Sequence, residues 1–190
     1  MDEAARRRRL VALIAADRQA MEILRAVRAL HLQDWAIGAG FARNRVWDDL
    51  SGYRRPTSFA DIDVLYHDPS DIRPEAETGL EARLHATMRD VPPWSVKNQA
   101  RMHLRNGDPP YGSTENALRF WLETPTCVGV RLEFDDALTV LAPHGLEDLF
   151  SLVVRPTPSG RRQIEAYRRR MTEKNWTARW PRLRIDGLTD

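Results

Sequence analysis

The sequence predicts an α/β (α+β) fold, a mixed central sheet flanked by helices. Three observations predict it. Helical and strand periodicities alternate along the 190 residues. A short strand, a glycine turn and a helix start follow one another from Trp35 to Asn44 (Trp-Ala-Ile-Gly-Ala-Gly-Phe-Ala-Arg-Asn). Two carboxylates, Asp61 and Asp63, stand two residues apart beside Ile62, Val64, Leu65 and Tyr66. Period-two alternation puts both carboxylates on one strand face and the apolar side chains on the other.

The elements follow in order. Residues 4–30 read as one long amphipathic helix, because Leu10, Leu13, Ile14, Met21, Leu24 and Val27 fall on one stripe. A strand at 35–37, the glycine turn and a helix over 41–50 come next. Ser51 to Thr57 is a loop by composition, and it leads to the aspartate strand. Asp68-Pro69-Ser70-Asp71 breaks that strand, and Leu80, Leu84 and Met88 mark a helix over 75–88. Alternation from Trp94 onward predicts a strand over 94–104, with Lys97, Gln99, Arg101 and His103 on one face. Ser113 or Thr114 can cap a helix running to Leu122. Residues 128–132 and 138–141 form a hairpin around Asp135-Asp136, followed by a short helix over 146–150. Pro156 and Pro158 lead into a basic helix over 160–174. Trp176 and Trp180 belong to a tail expected to pack back on the body, since two exposed indoles are unfavourable. The expected organisation is a single domain over 1–190, with an N-terminal helix at 4–30 and a basic helical tail at 158–190.

Composition is that of an ordinary water-soluble domain: 42% hydrophobic and 29% charged residues, with a formal net charge of +2. Cys127 is the sole cysteine, which excludes an intrachain disulfide and a cysteine-based zinc site and fits a cytoplasmic setting. Nothing approaches the roughly 20 apolar residues of a transmembrane helix, and the first residues lack the apolar core of a signal peptide. Arginine runs at 6–9 and at 161, 162 and 168–170 offer contacts to nucleic acid, with RNA contact expected of the basic C-terminal helix; the bland alternative is solvated helix faces and helix ends.

The paired aspartates point to metal-assisted phosphate chemistry. Two adjacent carboxylates repel unless a cation lies between them. A hard divalent ion with oxygen ligands, Mg²⁺ or Mn²⁺, answers that need. The glycine turn strengthens the reading. Gly38 and Gly40 leave the backbone open to close approach. The helix start beyond them offers free N–H groups to a phosphate, and Arg43 and Asn44 add donors in its first turn.

These segments resemble a bacterial nucleotidyltransferase-like family of the DNA polymerase beta-type nucleotidyltransferase superfamily. Ile37-Gly38-Ala39-Gly40 resembles the superfamily's glycine motif, and Asp61-Ile62-Asp63-Val64 matches its paired-acid strand. The narrower likeness comes from residues 39–47, 96–103, 142–150, Lys174-Asn175-Trp176 and Trp180-Pro181. The resemblance implies a nucleotidyltransferase fold and transfer of a nucleoside monophosphate from an NTP to an acceptor it does not identify. It implies Asp61 and Asp63 as catalytic metal ligands. It also brings in Lys97, Asn98 and Gln99 as nucleotide-binding candidates. Two departures stand out. The interval between Gly40 and Asp61 is long, which makes 48–57 a lid or substrate loop. The strand carrying Lys97 to Gln99 has no acid. Glu133, in Leu132-Glu133-Phe134, is then the candidate third catalytic carboxylate. Without one, the alternative is a catalytically silent nucleotide-binding or interaction module.

Overall fold

The computed structural model describes residues 1–188; the last two residues of the 158–190 tail lie outside the described residues. The N-terminal segment is two helices rather than one, α1 (Glu3–Ala16) and α2 (Arg18–Arg28). Asp17 makes the break. Its backbone is extended, and its carboxylate accepts from the Ala20 N–H at 3.0 Å, capping α2. The other oxygen of the same carboxylate pairs with the buried Arg45 guanidinium. A tertiary ion pair therefore reinforces a local cap at one residue, and the apolar stripe continues across the break.

Then follow β1 (Trp35–Ile37), α3 (Gly40–Leu50), β2 (Ile62–Tyr66), α4 (Pro74–Thr87), β3 (Trp94–Asn98) and α5 (Gln99–Asn106). After them come α6 (Thr114–Leu118), β4 (Gly129–Leu132), β5 (Leu138–Leu141) and α7 (Glu147–Phe150). The chain ends with β6 (Val153–Val154), α8 (Pro158–Arg162), α9 (Ile164–Lys174), α10 (Trp176–Arg179) and β7 (Arg184–Ile185). The main sheet runs β3-β2-β1-β4-β5, and β6 pairs with β7 in a separate two-stranded sheet. Only β2 and β3 are parallel in the main sheet, so it is mixed as expected.

Three boundaries differ from the sequence reading. The strand expected over 94–104 stops at Asn98, whose side chain accepts from the Ala100 N–H at 3.1 Å and caps α5. Gln99, Arg101 and His103 are thus on a helix, which Gly107 closes in the left-handed region at φ 69°. The apparent alternation past Asn98 was a coincidence of polar spacing, since Met102 is buried at helical phase. The helix expected from 113 or 114 to 122 ends at Leu118, with Ser113 as its cap. The basic helix over 160–174 is split at Gln163 into α8 and α9.

The core lies between the sheet and the layer formed by α1, α2 and α3. The tail joins it. Trp180 is buried edge-on against Trp47, with ring centroids 5.0 Å apart, and Trp176 meets the same indole at 5.4 Å. Among the described residues no helix is long and apolar enough to cross a membrane.

Candidate functional site

The turn after β1 is tied to the aspartate strand. The Gly38 N–H donates to the Asp63 carbonyl at 2.9 Å, continuing the antiparallel register that pairs Ile37 with Val64. A Cβ on Gly38 would lie 3.1 Å from Leu65 Cδ1 and 3.3 Å from the Trp121 ring, so a side chain there would have to push these neighbours back by a few tenths of an ångström. Ala39 then turns the chain at φ 54° and ψ −121°, a conformation that L residues rarely adopt. Ala39→Gly is therefore expected to raise stability by about 1 kcal/mol, read as a higher urea midpoint. An unchanged or lower midpoint would contradict stored strain at this turn.

The strained turn aims α3 at the aspartates. Among the described residues no side chain caps its N-terminus. Gly40 opens the helix, and a Cβ there would crowd Arg43 Nη2 at 3.3 Å and the Asn44 side chain at 3.4 Å. Arg43 and Asn44 are both buried, and Arg43 Nη2 donates to Asn44 Oδ1 at 3.0 Å. Among the described residues Arg43 Nε has no hydrogen-bond partner. The guanidinium lies 4.3 Å from the Trp176 ring centroid. Burial pulls its pKa down to about 10, against the stabilising charges of Glu123, Asp63 and Asp61.

Asp61 stands one residue ahead of β2, and Asp63 lies within the strand. Burial, and then the neighbouring Asp61, push the Asp63 carboxyl up to about 6; the Ser95 hydroxyl, Arg170 and Lys174 pull the other way. Ser95 stands directly across the parallel β2–β3 pair. Oxygen-only donors crowded in this way suit a hard divalent cation such as Mg²⁺ or Mn²⁺. Among the described residues no group of three His, Cys, Asp or Glu side chains converges on a common point.

Asp61, Asp63, Gly40, Arg43 and Asn44 line one cavity of about 1200 Å³. Its far wall comes from distant segments: Glu123, and Arg170, Lys174 and Trp176 from the tail. Glu123 is fully buried and accepts from Arg170 Nε at 2.8 Å. Sequence reading missed Glu123, which lies in irregular chain after α6 with no periodicity to mark it. Arg170 was visible only as part of a basic run.

Other candidates are placed elsewhere. Gly38 lies behind the turn, outside the cavity lining. Lys97 pairs with Glu81 at 3.0 Å and Glu77 at 3.5 Å. Asn98 donates to the carbonyls of Asp68 and Asp71 at 2.7 and 2.8 Å, and Gln99 donates to the Lys97 carbonyl at 3.0 Å. These bonds join β3 to α4 and to the loop after β2, and none of the three residues lines the cavity. Glu133 is at the opposite end of the sheet. Antiparallel pairing of Ile37 with Val130 carries the end of β4 back toward the start of β1. There Glu133 accepts from Arg131 Nε at 2.8 Å, in a second cleft of about 220 Å³ shared with Arg28 and Asp34. The expected convergence of three acids at Glu133 does not occur, because the hydrophobic–acid–hydrophobic pattern carries no information on strand direction. The 48–57 segment is not a loose lid: Asp48 accepts from the Thr57 N–H at 2.6 Å and hydroxyl at 2.8 Å, and Arg45 holds the Thr57 carbonyl at 2.8 Å.

A family profile described as "Nucleotidyltransferase" matches residues 25–185. A solved NMR structure described as revealing a CCA-adding enzyme head domain is 32% identical, with TM-score 0.82, covering 93% of this chain and 94% of that one. A CCA-adding enzyme in complex with CTP superimposes with TM-score 0.60 at 14% identity, covering 98% of this chain and 43% of that one. A tRNA-processing enzyme with CTP gives TM-score 0.53 at 16% identity, covering 86% and 43%. These last two likenesses concern the fold alone, and the chain spans less than half of either protein. No curated protein matches the sequence.

Proposed function

The chain belongs to the nucleotidyltransferase family, and from that premise we propose that it transfers a nucleoside monophosphate from an NTP to an acceptor with the help of a divalent cation. One observation carries the reading: two adjacent carboxylates share a cavity with a helix N-terminus and a buried guanidinium Nε that, among the described residues, have no side-chain cap and no hydrogen-bond partner. Asp61 and Asp63 would hold Mg²⁺ or Mn²⁺. The cation would neutralise phosphate oxygens and favour departure of pyrophosphate. The N-terminus of α3 with Gly40, Arg43 and Asn44 would seat the phosphates, with Arg170 and Lys174 facing them from the tail. In the transfer, an acceptor oxygen bonds the α-phosphorus and the bond to the β-phosphate oxygen breaks. The structural relatives are a CCA-adding enzyme head domain and a tRNA-processing enzyme, so RNA leads the acceptors to be tested, and we assign the protein to the cytoplasm.

A second reading is a nucleotide-binding module without turnover. Ser95 favours it, standing beside Asp63 on the next strand where an acid would complete a triad. Incubation with labelled NTPs, Mg²⁺ and a panel of RNA and protein acceptors separates the two. Transfer that disappears in Asp61→Ala is expected. Tight Mg²⁺-dependent NTP binding with no transfer to any acceptor would favour the module, and Mg²⁺-dependent binding unchanged in Asp61→Ala would overturn the site.

A further inference from the structure

The basic run that the sequence offered for RNA contact is ion-paired on α9, while its α8 part carries no ion pair among the described residues and lies outside the cavity lining. On α9, Arg168 pairs with Glu165 at 3.3 Å, Arg169 with Glu173 at 3.9 Å, and Arg170 with the buried Glu123 at 2.8 Å. On α8, Arg161 bonds the Pro156 carbonyl and Arg162 the Ser159 hydroxyl. Six other cations cluster at the cavity mouth. Arg54, Arg55, Arg105, Lys174, Arg179 and Arg182 are all exposed, and none of them makes an ion pair among the described residues.

Tertiary bonds hold this rim together. The Tyr53 hydroxyl donates to the Arg179 carbonyl, which places Arg54 and Arg55 beside α10. Arg182 Nη1 donates to the Leu50 carbonyl at 2.9 Å. Arg105, Lys174 and Arg179 line the cavity itself, so the rim runs into it from two sides. Residues 50–57 and 174–184 carry no carboxylate between them. Tyr53, 41% exposed, sits among the arginines.

We propose that this rim binds a single-stranded nucleic acid and leads one of its ends to the cavity. Like charges brought together without counterions raise the free energy of the folded protein until a polyanion joins them. Arginine is suited to phosphate because its planar fork donates to two oxygens at once. An aromatic ring between such cations adds a stacking surface for an unpaired base. Binding depends only on these surface groups. The approach of one end to Asp61 and Asp63 also rests on the proposed transfer reaction.

The test is fluorescence anisotropy of the full chain with labelled 12-nucleotide RNA and DNA strands over a range of salt concentrations. A log–log salt slope of about −3 to −4 is expected, from five or so neutralised phosphates at roughly −0.7 each. Arg54→Glu/Arg55→Glu and, separately, Arg105→Glu should each weaken binding at least 10-fold and flatten the slope. Arg161→Glu/Arg162→Glu should change affinity less than 3-fold. Circular dichroism melting checks that each variant is folded, and the two rim variants lie on different elements, so one misfolded variant leaves the other to decide. Asp61→Ala should bind the strand as wild type does while losing transfer; a wild-type chain that binds the strand but transfers nothing would count against the catalytic reading and not against the rim. Equal weakening by the α8 control, tighter binding to a duplex of the same length, or equal competition by poly-glutamate would overturn the proposal.

Discussion

Asp63→Asn is expected to abolish transfer and, in the absence of metal, to make the protein more stable at pH 8. The folded protein holds the Asp63 carboxyl at about 6, above the ordinary 3.8, because it is buried and faces Asp61. Between those two pH values the folded chain keeps a proton that the unfolded chain has lost. Stability from this group therefore falls as pH rises through that window, and the deficit persists above about 6. Asparagine keeps the shape and can bond Ser95 without the charge. The variant should gain on the order of 1–2 kcal/mol at pH 8. At pH 4, where Asp63 is mostly protonated in the folded state, the difference should nearly vanish. Urea melts at the two pH values in EDTA measure the gap. The same gap at both pH values, or a less stable variant at pH 8, would refute the argument. With Mg²⁺ the order should reverse, since the metal stabilises only the chain that binds it. Loss of a metal-binding carboxylate should lower transfer by about 10³-fold or more, equivalent to several kcal/mol of lost charge stabilisation.

The part of the site that was legible in the sequence is local. The strand at 35–37, the helix read over 41–50 and the paired aspartates follow from periodicity and glycine placement over some thirty consecutive residues. The family likeness was legible for the same reason. What depended on chain direction or distant packing was not. Glu133 fits a sequence pattern for a strand acid, yet its strand runs the other way along β1 and delivers it to the far end of the sheet. Lys97, Asn98 and Gln99 share polarity with a binding stripe, but Asn98 ends the strand by capping α5 and Lys97 is taken by acids on α4. The strain at Ala39 was also hidden, because an alanine between two glycines reads as the least demanding residue of the turn. The wall formed by Glu123, Arg170 and Trp176 exists only once the tail has folded back, and no local rule reports that.

That dependence on the tail makes Trp180→Ala the substitution with the largest expected structural effect. The indole is 1% exposed, meets Trp47 edge-on at 5.0 Å, and donates from Nε1 to Asp48 Oδ1 at 2.9 Å. Truncation removes a large buried ring and leaves a cavity, which costs about 3–5 kcal/mol. It also takes a donor from Asp48, a buried carboxylate that holds Thr57 as well. Trp180 anchors the segment that carries Arg170, Lys174 and Trp176 to the cavity, so nucleotide affinity should fall together with stability, by 10-fold or more. Trp180→Phe separates the two contributions. It keeps most of the ring packing and loses only the N–H, at a cost of about 1–2 kcal/mol, and should bind NTP nearly as wild type does. Urea melts and NTP titrations on both variants give the result. If Trp180→Ala lost stability while keeping wild-type NTP affinity, the tail would be a structural strap and Arg170 and Lys174 would have no part in holding phosphate. If Trp180→Phe lost affinity as severely as Trp180→Ala, the bond to Asp48, rather than the packing of the ring, would be what sets the cavity wall.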